Sequence, residues 1–145
     1  MDNRELLFSY TPCDVFYNPG LKAVETSWKG PGAEGDELHL ILNSIIEALK
    51  HKRSSIVIAD ARKMQMINND DIKWISENWY PRALVAGFRH EALVVTDYTF
   101  NLVTIKKIVR TYDEEQLTTA YFKTLPGAYE WVKNGCQDLS FDYQT

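Results

Sequence analysis

Cysteine and histidine are scarce in this sequence. Its 145 residues include two cysteines, Cys13 and Cys136, at opposite ends of the chain, and three histidines in three different predicted elements. A zinc site needs three or four convergent ligands with paired spacing, and a disulfide framework needs patterned cysteines. The sequence therefore predicts two reduced, inert thiols and no metal site.

Long apolar runs and clustered positive charge are also absent. No stretch approaches the roughly 20 apolar residues that span a bilayer, and residues 1–5 lack the basic and apolar pattern of a secretory signal. The net charge is −4, and the one compact basic run, 50–53, falls at a predicted helix end, where the helix dipole favours cations. We expect a soluble, cytoplasmic protein without a membrane span or a nucleic-acid partner.

The usual sequence motifs of catalysis are missing as well. The chain contains no nucleophile elbow, no Walker sequence and no glycine-rich dinucleotide loop. We therefore predict no enzyme, no catalytic residue and no cofactor.

What the sequence does contain is the composition of one globular domain. Hydrophobic residues make up 45% of the chain and charged residues 25%, close to the averages of globular proteins. A chain of this length typically buries roughly 70% of its unfolded surface. We predict a single domain over residues 1–145.

Strand-like and helix-like segments alternate along the chain. A hairpin is predicted at 14–28, with its turn at Asn18-Pro19-Gly20. Apolar runs predict strands at 55–60, 91–97 and 118–123, and periodicity predicts helices at 37–50, 69–87, 101–112 and 124–134. Asp36 is the expected N-cap of the first helix, and the apolar tail 139–143 is expected to dock on the fold. The order predicts an α/β fold with a mixed, mainly parallel sheet of four to five strands, four helices and an opening β-hairpin.

The second predicted helix carries most of the informative aromatic residues. Ile72, Ile75 and Trp79 share its core face at about 100° per residue, and Pro81 is expected to kink it. Trp74 points away from that face, so it packs against another part of the fold or contacts a partner. Arg82, beside Tyr80, is either solvated or able to hold an anion or an aromatic ring.

Two aspartates end neighbouring predicted strands. Asp60 and Asp97 would lie at the carboxyl edge of the sheet, with Lys123 ending the next strand. Open α/β sheets bind ligands at this edge, whereas aspartates also commonly cap loops and helix starts. Capping is the simpler interpretation, and a ligand or ion site is the alternative.

The element order over 14–135 resembles the STAS family (sulfate-transporter and anti-sigma-factor-antagonist domains), which has the SpoIIAA-like fold. The string Trp79-Tyr80-Pro81-Arg82 resembles a branch of small, uncharacterised bacterial STAS-like proteins. The resemblance implies protein recognition switched by phosphorylation of a serine in an Asp-Ser-Ser/Thr-Gly sequence. The corresponding stretch 66–72 has no serine, threonine or glycine, so we expect no such switch here. The resemblance also implies helices mainly on one sheet face, which leaves the other face to the terminal segments, a second subunit or a ligand.

Our expected function is binding without catalysis, by protein–protein recognition or regulation through the helix from Asp71 to the Pro81 kink. The alternative is a carrier of an apolar small molecule or lipid, and a homo-oligomer stays open. An apolar cavity of several hundred Å³ would favour the carrier, and a filled core would favour the recognition module. The candidate binding residues are Trp74, Trp79, Tyr80, Arg82, Asp60 and Asp97.

Overall fold

A six-stranded mixed sheet forms the centre of the protein in a computed structural model, which describes residues 3–30, 32–97 and 102–137. The strands are β1 Glu5–Ser9, β2 Cys13–Asn18, β3 Ala23–Trp28, β4 Ile56–Asp60, β5 His90–Val94 and β6 Thr118–Phe122. They lie side by side in chain order, with antiparallel pairing from β1 to β3 and parallel pairing from β3 to β6.

The helices follow the predicted order. They are α1 Gly35–Lys52, α2 Asn69–Trp74, a π-helical turn Ile75–Trp79, α3 Tyr80–Val85, α4 Leu102–Val109 and α5 Leu125–Lys133. Because α2, the π-helical turn and α3 run on without a break, the described part of the chain has four helices. None of the helices in the described ranges is long and apolar enough to cross a membrane.

The α/β alternation, the opening hairpin and the parallel strands are confirmed, but the predicted number of strands was wrong. The sheet has six strands because β1 pairs with β2 at its edge, with an irregular register between Leu6 and Phe8. Most β1 side chains are exposed, so this strand lacks the buried apolar pattern by which a strand is recognised. The tail 139–143 lies outside the described residues.

The start of α1 also differs from the prediction. The helix begins at Gly35, and Asp36 lies inside its first turn instead of capping it. The Gly35 N–H donates instead to Oδ2 of Asp71, at 2.9 Å. Asp71 is 4% exposed and also contacts Nε2 of His39, at 3.2 Å. The first turn of α1 is thus held by a residue 36 positions later, which no local pattern could show.

Pro81 is accommodated without a break in the helix. It lies in the first turn of α3, directly after the π-helical turn. Proline cannot donate a backbone hydrogen bond, and π-helical turns shift the bonding pattern locally. At the position of the predicted kink, the hydrogen-bonding pattern changes from π-helical to α-helical and the helix continues.

Helices cover both faces of the sheet. The helices α1 to α4 pack on one face, as expected when neighbouring parallel strands are joined by crossovers of one hand. Helix α5 follows the last strand and covers the opposite face, where Trp131 packs on Phe122. Helix α5, near the C-terminus, is thus the element that covers the second face of the sheet.

A buried carboxylate on that second face fastens α5 to the sheet. Glu25 on β3 is 2% exposed and accepts hydrogen bonds from Asn18 Nδ2 and Tyr129 Oη, each at 2.7 Å. Arg4 Nη1 adds a contact at 3.4 Å. Since each donor lies on a different element, the carboxylate links β2, α5 and the N-terminal segment through β3.

Candidate functional site

A cavity of about 90 Å³ lies between the sheet and the helices α1, α2 and α4. Of the eighteen residues that line it, only four carry a hydroxyl or carboxyl group: Thr26, Tyr80, Glu91 and Thr104. The remaining wall is formed by aliphatic, methionine and tryptophan side chains. This is the apolar composition with few polar groups that is typical of small-molecule sites.

The position of the cavity follows from the sequence of β4. Ala59 and Ala61 present short side chains to the helical face, where larger residues would fill the space. Around them stand partly exposed side chains from the β4–α2 connection and from the first turns of α2 and α4, namely Met64, Ile72 and Thr104. The cavity therefore extends to the carboxyl edge of the parallel strands, the usual ligand side of open α/β sheets.

One carboxyl group is buried in the cavity wall. Glu91 on β5 is 5% exposed, and its two oxygens lie 3.0 and 3.1 Å from the Tyr80 hydroxyl, which donates to them. Burial raises the pKa of Glu91 to about 7, and the Tyr80 hydrogen bond offsets only part of that effect. Burial and the negative charge of Glu91 together raise the pKa of Tyr80 well above its ordinary value.

Two unpartnered hydroxyl groups lie on the neighbouring strand β6, and a third lies elsewhere on the cavity wall. Thr119 on β6 is directly opposite Glu91 in the strand pairing. The hydroxyls of Thr119 and Tyr121 are buried without a hydrogen-bond partner, as is that of Thr26 on the cavity wall. Buried polar atoms normally find partners, so this region offers more hydrogen-bonding capacity than the described residues use.

Two of the candidate binding residues lie inside the protein. Trp79 is 4% exposed, as its place on the core face predicted, and its Nε1 donates to the Leu42 carbonyl oxygen at 2.7 Å. Its ring packs edge-on against Tyr80, with centroids 5.0 Å apart. Both side chains line the cavity, so any ligand contact they make is internal.

Trp74 and Arg82 lie at the seam between α1 and the α2–α3 helix. Trp74 is half-buried and stacks on His39 of α1, with ring centroids 3.7 Å apart and planes 8° from parallel. The Arg82 guanidinium lies 5.6 Å from the Trp74 ring and donates to Asn78 and Asn43. Trp74 thus packs both against the main core cluster and against a side chain of a neighbouring helix.

The two edge aspartates each pair with a separate cation. Asp60 accepts from Nε and Nη2 of Arg62 at 2.9 and 2.7 Å. Although burial acts in the opposite direction, these bonds hold the pKa of Asp60 below its ordinary value. Asp97 was predicted to end its strand, but β5 ends at Val94, and Asp97 lies three residues later at an exposed position, 3.8 Å from Lys123 Nζ. Neither aspartate lines the cavity.

The sequence analysis did not single out Glu91. The sequence does place this charged residue at the start of an apolar strand. Because glutamate is rarely fully buried without a partner, that position could have marked Glu91 as a candidate site residue. That partner, Tyr80, comes from α3 and could not be identified from spacing.

Metal-binding chemistry has no support in the described ranges. Their side chains form no group of three or more histidine, cysteine, aspartate or glutamate residues that could hold an ion. Cys13 and Cys136 are free and buried, and burial raises the pKa of Cys13 to about 12.

Comparison with protein-family models and with curated proteins finds no match for this chain. The fold defines its class, an α/β domain whose antiparallel hairpins lead into a parallel sheet. The site adds an apolar cavity with one buried carboxyl group.

Proposed function

We propose that this protein binds, without catalysis, a small and largely apolar molecule in the cavity between the sheet and its helices. The observation that carries the proposal is the 90 Å³ space with a predominantly apolar wall. Cavities lined by apolar side chains stay dry and accept small apolar molecules, because water finds too few partners there. The unpartnered Thr26 hydroxyl on the same wall adds a polar atom that a ligand could satisfy.

The size of the cavity limits the ligand. A space of 90 Å³ is smaller than the several hundred Å³ typical of pockets for larger ligands. It is also smaller than the roughly 150 Å³ engineered cavity that accepts benzene. The bound molecule, or the part of it that enters, is therefore a short aliphatic group and not an enclosed lipid.

Protein recognition by the α2–α3 helix has less support than small-molecule binding. Its intended anchor, Trp74, is already engaged by His39 on one side and by Arg82 on the other. A STAS-like identity stays part of the proposal. It is supported by the opening hairpin, the parallel strands in chain order and the Trp79-Tyr80-Pro81-Arg82 string.

Filling the cavity should abolish ligand binding without unfolding the protein. Ala59→Leu places the added carbon atoms in the existing space, so we expect the free energy of unfolding to change by less than about 1 kcal/mol. Xenon serves as the apolar probe, and shifts of cavity methyl resonances in NMR spectra report its binding. We expect xenon to bind the wild type and not to bind Ala59→Leu.

The control lies on the neighbouring strand and the opposite face. Ala92 is fully buried beneath α5, so Ala92→Leu should overpack the core and cost about 1–3 kcal/mol. It should leave probe binding at the cavity intact. Absence of probe binding to the wild type, or unchanged binding to Ala59→Leu, would refute the proposed function.

A further inference from the structure

We propose that the molecule bound in the cavity is a small aliphatic amine, whose ammonium group pairs with the carboxylate of Glu91. This inference rests on the proposed function and specifies the chemistry of its ligand. The aliphatic part would occupy the space beside Ala59 and Ala61, and the charged end would face β5.

The carboxylate of Glu91 has acceptor positions that its hydrogen bond with Tyr80 leaves unfilled. A carboxylate offers about four acceptor positions, yet both oxygens of Glu91 share the single hydrogen of the Tyr80 hydroxyl. Within the described ranges no lysine, arginine or histidine forms an ion pair with Glu91. An ammonium group carries three donors and the missing positive charge.

Glu25, in the same sheet, is a buried carboxylate whose oxygens have several hydrogen-bond donors. Glu25 is equally buried, but it has a tyrosine, an asparagine and an arginine as donors. Among the described residues, Glu91 has one hydrogen-bond donor, Tyr80, and it lies in the cavity wall beside the unpartnered Thr119 and Tyr121 hydroxyls. A buried carboxylate without a cation is costly, and the open cavity is where a cation could enter.

Other ligand chemistries fit less well. A carboxylate ligand would be repelled by Glu91, and a pure hydrocarbon would leave that group unpaired. An alcohol would donate one hydrogen bond but no charge, and charge-assisted bonds are roughly twice as strong as neutral ones.

The pairing also predicts that amine binding depends on pH. An ammonium group favours the ionised form of Glu91, so affinity should rise between pH 6 and pH 8, as the carboxyl group, with its pKa raised by burial to about 7, loses its proton. In the described ranges the titratable groups around it are three phenols, Tyr80, Tyr112 and Tyr121, and beyond Tyr121 two cations, Arg110 and Lys106, whose Nζ lies 5.0 Å from the Tyr121 ring. Phenols ordinarily titrate near pH 10, and burial raises the pKa of Tyr121 to about 12. On the same strand, His90 points to the opposite face, so the change in affinity is assigned to Glu91.

The experiment compares three ligands with the same carbon skeleton: isobutylamine, isobutanol and isobutyrate. NMR titrations at pH 8 should show the amine binding at least tenfold more tightly than the alcohol, with no binding of the carboxylate. In Glu91→Gln the advantage of the amine over the alcohol should disappear. The matched control, Glu25→Gln, should keep the at least tenfold preference for the amine over the alcohol and should not bind the carboxylate.

A second measurement needs no variant. In the wild type the preference for the amine over the alcohol should fall at least fivefold from pH 8 to pH 6. If isobutanol binds as tightly as isobutylamine at pH 8, the amine assignment is wrong and the apolar site stands. If xenon fails to bind the wild type, the proposed function itself is wrong.

Discussion

Replacing Trp79 with alanine should lower the free energy of unfolding by about 3–5 kcal/mol. The indole is 4% exposed and packs edge-on against Tyr80 and Phe88, so its removal would leave a large void beside the existing cavity. It would also remove the hydrogen bond that the indole N–H donates to the Leu42 carbonyl oxygen, and loss of a buried hydrogen bond adds to the destabilisation. Urea melts of the wild type and the variant measure this difference.

Trp74→Ala is the matched control, since it truncates a tryptophan in the same continuous helix. Trp74 is half-buried and stacks on the exposed side of the fold against His39. Loss of one stacked aromatic pair with partial burial should cost about 1–2 kcal/mol. Equal losses in the two variants would contradict the assignment of Trp79 alone to the core. Sedimentation of Trp74→Ala beside the wild type also tests whether this side chain supports any self-association.

Removing the Glu91 carboxyl group should change how stability depends on pH. Burial raises the pKa of Glu91 from 4.5 to about 7, so the folded protein keeps a proton that the unfolded chain has already released. The stabilisation is fully present below pH 4.5 and is lost as the pH rises through 7. The difference between the two pKa values corresponds to roughly 3 kcal/mol.

Urea melts at pH 5 and pH 8 check this prediction. The wild type should lose stability between the two values relative to Glu91→Gln, in which no carboxyl group titrates. Other groups, such as His90, contribute equally to both proteins and cancel in the comparison. Glu25→Gln is the control for removal of a buried carboxyl group on the other face. If wild type and Glu91→Gln change in parallel between pH 5 and pH 8, the carboxyl group of Glu91 does not titrate as described.

Local patterns in the sequence were sufficient for most of the fold. The turn after Asn18 and the cap at Thr124 depend on neighbours within three residues. The cap forms as predicted, whereas the turn spans residues 19–22 and the positive φ falls on Lys22 and not on Gly20. The core position of Trp79 follows from helical periodicity alone. Such features could be predicted because their energetics depend on residues that are close along the chain.

Only some residues of the candidate site could be predicted from the sequence. Tyr80 was among the predicted binding residues, but its partner Glu91 was not, because the pair forms only when α3 packs against β5. Trp74 was expected to point away from the core face, and it is half-buried against the main core cluster. Its stacking on His39 of α1 depends on the packing of two helices.

The sequence by itself determined the α/β class, the opening hairpin and the buried faces of the individual elements. The tertiary structure alone decided the capping of Gly35 by Asp71, the placement of α5 on the second face and the enclosure of Glu91 beside an apolar cavity. The physical reason is the distance along the chain over which each interaction acts. Periodicity, turns and local caps are properties of short segments, whereas a cavity is the space left where β3 to β5 and three helices meet, and no single segment encodes its volume.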